Sequence, residues 1–210
     1  PIDLVGWQLS DGSSTGVFPA QIILPNEYWI VTSSSSTSEF LPYGKVIGIA
    51  NFPTLNNTGD ILTLKNSSAL TIDSLSYALS WYRDADKEEG GWSLELIDPG
   101  NPCGEEDNWS ASEDDSGGTP GKQNSIFANK PDLTGPKLLS VTAITPRQVL
   151  LKFDEKLEKA ATNLNLFSLV PTIDISSASF TNNTLREIRL NLSADLQARQ
   201  LYSLKVDKLS

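Results

Sequence analysis

Three sets of side chains in this 210-residue chain have types and spacings that could do chemistry. The first is the acidic set Glu105, Glu106, Asp107, Glu113, Asp114 and Asp115, lying in a stretch rich in glycine, proline and asparagine. Calcium takes about six to eight hard oxygen ligands from carboxylates and carbonyls, and a turn-rich loop supplies both. Asp107, Glu113, Asp114 and Asp115 are therefore candidate calcium ligands, against the plainer reading of a solvated acidic loop. The second set is Asp84, Asp86, Glu88 and Glu95, which imitates acids at the first, third, fifth and twelfth places of a calcium loop. Its glycine, Gly90, falls one place late and its flanks read as strands, so an exposed hairpin tip is the competing account. The third is Trp81-Tyr82, a pair that would stack on a sugar ring if exposed. Trp29 is equally open to that use, whereas Trp7, Trp92 and Trp109 read as core.

What is missing restricts the chemistry further. The chain has no histidine and one cysteine, Cys103. Histidine triads, histidine acid–base work, Cys-rich zinc sites and an internal disulfide are all excluded. Two carboxylates could still hydrolyse a glycoside, but one of them would need a raised pKa. The acids lie in loops with no apolar pocket to raise one. The expectation is a chain that is not an enzyme. Net charge is −10, which argues against a phosphate backbone as partner. The charge is uneven: residues 1–130 hold 6 basic and 18 acidic side chains, residues 131–210 hold 10 and 8. That asymmetry suggests two units. No apolar run nears the ~20 residues needed to cross a bilayer, and no basic-then-apolar leader opens the chain.

Short apolar and β-branched runs separated by turn formers must position these residues. Strands are expected around 21–24, 28–31, 61–64, 74–77 and 92–96. Residues 98–125 read as a long ordered loop, anchored by Trp109, and residues 129–136 as a stiff linker with two prolines and a glycine. Beyond it, period-two alternation puts Leu139, Val141 and Ala143 on one face of a strand. Val149, Leu151 and Phe153 share a second such face; Ile188, Leu190 and Leu192 a third; Tyr202, Leu204 and Val206 a fourth. One helical turn is expected within 155–161.

Seven segments, in order, resemble the bacterial form of the lamin-tail domain family. They are Asp3-Leu4-Val5-Gly6-Trp7-Gln8-Leu9-Ser10-Asp11, Leu24-Pro25-Asn26-Glu27-Tyr28, Asn57-Thr58-Gly59-Asp60-Ile61-Leu62-Thr63-Leu64, Asp73-Ser74-Leu75-Ser76-Tyr77, Gly90-Gly91-Trp92-Ser93-Leu94-Glu95, Asn108-Trp109 and Gly117-Gly118-Thr119-Pro120-Gly121-Lys122-Gln123-Asn124-Ser125. The last part resembles the bacterial surface-layer type of Ig-like repeat. It does so through Gly135-Pro136-Lys137-Leu138-Leu139-Ser140-Val141, Val149-Leu150-Leu151-Lys152-Phe153-Asp154-Glu155-Lys156-Leu157 and Leu201-Tyr202-Ser203-Leu204-Lys205-Val206. The expected fold is all-β: two tandem immunoglobulin-like β-sandwiches, 1–128 and 137–210, joined by a Pro/Gly linker at 129–136. Set against these families, the first sandwich lacks its opening strands and the second its last. The resemblance implies an exported or cell-surface multi-domain bacterial protein. Its partner would be a protein or carbohydrate surface rather than nucleic acid, with calcium the one cofactor to consider. Asp73-Ser74-Leu75 fits a short pattern on which such exported proteins are O-glycosylated. Two roles follow: a structural and adhesive module, or a substrate-targeting appendage of a larger secreted hydrolase or nuclease.

Overall fold

A computed structural model describes residues 1–207 and 209. The chain is mostly strand and divides into two compact units, Pro1–Pro131 and Asp132–Ser210. The boundary falls between Pro131 and Asp132. Lys130 belongs to the first unit, because its backbone N–H donates to Asp98 Oδ2 at 2.6 Å.

In the first unit the strands are β1 (Ile2–Asp3), β2 (Gln8–Ser10), β3 (Thr15–Val17), β4 (Ile22–Ile23), β5 (Trp29–Ser33), β6 (Lys45–Ile49), β7 (Gly59–Lys65), β8 (Thr71–Ala78), β9 (Leu94–Leu96) and β10 (Trp109–Ala111). The largest sheet runs β3-β2-β7-β8 and is antiparallel throughout. β1 pairs with β4 and β9 with β10, both antiparallel. β5 and β6 pair in parallel, which obliges the chain to cross over between them. A one-turn helix, α1 (Thr37–Phe40), and a 3-10 turn, Leu41–Tyr43, make that crossing. Gly48 of β6 lies beneath it. A β-carbon there would sit 2.9 Å from Ser34 Cα, so the crossover can pack this closely only over glycine. Leu4, Phe18, Ile47 and Ile49 form the buried core, with Trp7, Leu9, Trp29 and Leu64 packed against it.

The second unit follows the two-residue alternation more strictly. A four-stranded antiparallel sheet runs β11-β12-β15-β14, from β11 (Leu138–Thr145), β12 (Gln148–Phe153), β14 (Ile175–Phe180) and β15 (Glu187–Leu192). A second pair joins β13 (Phe167–Val170) to β16 (Ser203–Val206). Val149, Leu151, Phe153, Ile188, Leu190 and Leu192 are all buried, as the alternation requires, and Phe167 and Leu169 meet them from β13. Leu204 and Val206 are half-buried against the same core. The expected turn within 155–161 is a 3-10 turn at Lys159–Thr162. The expectation for Leu139, Val141 and Ala143 needs correction. They form a strand, but every residue of β11 is exposed. β11 is the edge of its sheet, and alternation reports which way a side chain points, not whether anything covers it.

Leu151 is fully buried, so Leu151→Ala should destabilise this unit by about 2–5 kcal/mol. Val141→Ala, on the exposed edge, should stay within about 0.5 kcal/mol of wild type. Urea unfolding of the two variants checks the contrast.

Candidate functional site

The polar side chains most thoroughly withdrawn from water lie around β9, β10 and the long connection from 98 to 130. In β9, Glu95 stands between two leucines and pairs across the ladder with Ser110 of β10. Only 3% of it is exposed. Its carboxylate accepts from Thr119 Oγ1 at 2.5 Å, from the Ser125 N–H at 2.8 Å and from Ser125 Oγ at 2.7 Å. Ser112, fully buried, shares a hydrogen with Ser125 Oγ at 3.1 Å. Asn124 Nδ2 donates to the Leu96 carbonyl at 2.9 Å. Burial pushes the Glu95 carboxyl up, but the bonds from Thr119, Ser125 and Ser112 together outweigh it and hold the group below the usual carboxylate range. The group is thus fixed as an anion and a structural acceptor.

A second knot closes the other end of the connection. Asn108 is fully buried, takes a bond from the Asp98 N–H at 2.9 Å and donates to the carbonyls of Asp98 (2.7 Å) and Asn101 (2.8 Å). Asp98 accepts from the N–H groups of Gly100 and Lys130. Asn101 Nδ2 donates to the Lys130 carbonyl at 3.0 Å. The Gly117–Gly121 turn brings the returning chain close to Tyr43. A β-carbon on Gly121, whose φ is +74°, would lie 2.7 Å from the Tyr43 carbonyl oxygen.

The acidic candidates serve this scaffold or face solvent. Asp114 accepts from Ser116 N, Ser116 Oγ and Lys122 Nζ, and these bonds, Ser116's first, hold its pKa down to about 2. Asp107 accepts from Arg83 Nη2 at 3.1 Å. Glu113 and Asp115 are exposed. Among the described residues no three His, Cys, Asp or Glu side chains gather closely enough to hold a metal ion. The second candidate set is divided likewise. Asp84 caps the one-turn helix α2 (Ala85–Glu88), its carboxylate accepting from the N–H groups of Asp86 and Lys87, while Glu95 is taken up by the knot above. A capped helical turn, rather than a bare hairpin tip, occupies 84–88.

Trp81-Tyr82 also requires correction. Trp81 is 6% exposed, its ring 6.4 Å from that of Trp109 at an interplanar angle of 36°. The Tyr82 hydroxyl donates to the Trp92 carbonyl at 3.2 Å. Packed against Trp109 and buried, Trp81 offers no open ring face to a sugar. Trp92 is occupied by the Lys87 ammonium, 4.5 Å from its centroid, and Lys87 also donates to the Ser112 carbonyl. Sequence reasoning missed Asn101, Asn108 and Lys130 as partners in one network. A single acid framed by leucines, Leu94-Glu95-Leu96, was the one available signal of an inward carboxylate.

Compared with protein-family models, with curated proteins and with solved structures, the chain finds no match.

Glu95 yields a signed pH prediction. A carboxyl depressed in the folded state stabilises fully above its unfolded pKa, near 4.5, and loses that contribution as pH falls through the folded value. Glu95→Gln should therefore cost about 1–3 kcal/mol at neutral pH, with the difference from wild type shrinking as the pH is lowered below ~4. Urea unfolding across that range tests both statements. For calcium, thermal melts in calcium and in chelator should coincide. A rise in Tm with calcium that Asp114→Asn abolishes would restore the loop as a metal site.

Proposed function

We propose that this chain is a non-catalytic structural and adhesive module of an exported or cell-surface protein, engaging a protein or glycan surface or spacing other domains. The observation that carries the reading is the state of Glu95. It is the most enclosed carboxylate in the network, and hydrogen bonds led by those from Thr119 and Ser125 hold it below the usual carboxylate range, whereas an acid catalyst would need its pKa raised. Asn108, Asp98 and Asn124 of the connection likewise bond to backbone groups, which supports a role in holding shape. The absence of histidine from the sequence points the same way.

For the finer fold, we read the first unit as lamin-tail-like and the second as Ig-like of the bacterial surface-layer type. The seven ordered segments support the first assignment. Antiparallel β11-β12-β15-β14 over β13-β16, about one alternating core, supports the second. The alternative role is a substrate-targeting appendage of a larger secreted hydrolase or nuclease. A catalytic domain beside the chain would favour that role; further Ig-like repeats would favour the first.

The purified chain should turn over chromogenic glycosides, esters and phosphodiesters no faster than buffer does. Turnover that Glu95→Gln abolishes would sink the non-catalytic reading.

A further inference from the structure

On the outer face of the second unit's larger sheet stands a cation without an anion. Ile188, Leu190 and Leu192 of β15 face the core, so Glu187, Arg189 and Asn191 point the other way. β15 is an inner strand, with β12 on one side and β14 on the other. Arg189 lies opposite Leu150 of β12 and Ser179 of β14, both uncharged. The polar groups before and after it on this face are matched to one another. Glu187, the acid of β15, takes Lys152 Nζ at 2.8 Å and Thr181 Oγ1 at 3.0 Å. Beyond Arg189, Gln148 Nε2 donates to Asn191 Oδ1 at 2.9 Å, and Asn191 Nδ2 donates to Ser177 Oγ at 2.7 Å. Arg189 itself is half-buried. Its Nε is shielded from solvent and has no acceptor, and among the described residues no carboxylate pairs with its guanidinium.

A guanidinium drawn partly out of water without a counter-charge is costly, and a shielded donor without an acceptor calls for an explanation. We infer that Arg189 anchors a docking face for an acidic polypeptide, whose Asp or Glu carboxylate supplies the missing counter-charge. A guanidinium is a planar fork of donors that matches the two oxygens of a carboxylate. The surroundings select a polypeptide among the bearers of such groups. A run of nucleic-acid phosphates calls for several free cations, whereas Lys152 is taken by Glu187 and the chain carries a net charge of −10. A sugar acid offers the same carboxylate, but the outward positions of β12, β15 and β14 hold no aromatic ring on which a sugar could stack. What they do hold is one arginine at the centre, an apolar and a hydroxyl neighbour beside it, and a self-paired polar margin. That is the composition of a protein-binding surface with an arginine anchor. The inference deepens the protein-binding side of the adhesive role and rests on that reading for its biological meaning.

The test is NMR titration of the whole isotope-labelled chain with a short peptide of alternating aspartate and glycine. The Arg189 Nε–H resonance and the backbone amides of Leu150 and Ser179 should shift to saturation, and added salt should weaken the binding. Arg189→Gln should abolish the shifts at Leu150 and Ser179. Ser179→Asp sets a carboxylate across the ladder from Arg189 and should abolish them as well, by occupying the guanidinium from within the chain. Absence of shifts at millimolar peptide overturns the inference, as do equal shifts with a peptide of alternating asparagine and glycine. Shifts that persist in Ser179→Asp overturn it too, and this variant decides the matter should Arg189→Gln fail to fold. Saturation by oligogalacturonate at lower concentration than by the peptide would overturn the polypeptide assignment and identify an acidic glycan. Shifts that grow with protein concentration alone would identify a second copy as the occupant and also overturn it. None of these failures bears on the turnover test above, so the two readings fall separately.

Discussion

The carboxylate of Glu95 is the constraint around which the first unit's long connection is organised. An ionised group this enclosed is tolerated only when its lone pairs are met by donors. Thr119 and Ser125, 24 and 30 residues along the chain, meet them. The consequence reaches beyond one side chain. Residues 98–130 contain little regular structure of their own, so their backbone groups need partners from elsewhere. The Glu95 knot fixes the end of the connection near Thr119–Ser125, and the Asn108–Asp98–Asn101–Lys130 knot fixes both ends near the unit boundary. Between them, Trp109 of the connection packs against the buried Trp81. A connection of this length, holding only the 3-10 turn Glu105–Asn108 and the short β10, is thereby fixed without a disulfide.

That arrangement accounts for the places of the acidic side chains, no three of which gather closely among the described residues. Calcium needs several oxygens converging on one point. Here the acids diverge into separate tasks: Asp84 caps a helical turn, Asp98 closes the unit boundary, Asp107 meets Arg83, and Asp114 ties Ser116 to Lys122. Acidity is high in this unit, but it is distributed along the scaffold. The second unit uses different means. Its core is a compact apolar alternation.

The two units also differ in what remains open. In the first, glycines at positions 48 and 121 let backbones approach so closely that crossovers and turns seal against strands. In the second, among the described residues, four strands face two, and Leu138 and Val141 on β11 are exposed. An uncharged edge strand of eight residues without proline or glycine has none of the side-chain devices that commonly blunt sheet edges, though two register shifts interrupt it.

The sequence by itself determined the predominance of strand, the alternating core of the second unit, the two-part charge distribution and the exclusion of histidine and disulfide chemistry. These are properties of residue type and local spacing, and Val149-Leu150-Leu151-Lys152-Phe153 carries its burial pattern in five residues. Only the tertiary structure decided whether Trp81 was open or buried, whether Asp107 and Asp114 converged, and whether β11 was covered. Each of these depends on residues far away in the chain: Trp109 for Trp81, Arg83 and Lys122 for the two acids, β16 for β11. Local periodicity fixes the direction of a side chain relative to its own backbone. What meets it there is set by chain closure over long separations, which no spacing within a single strand or turn encodes.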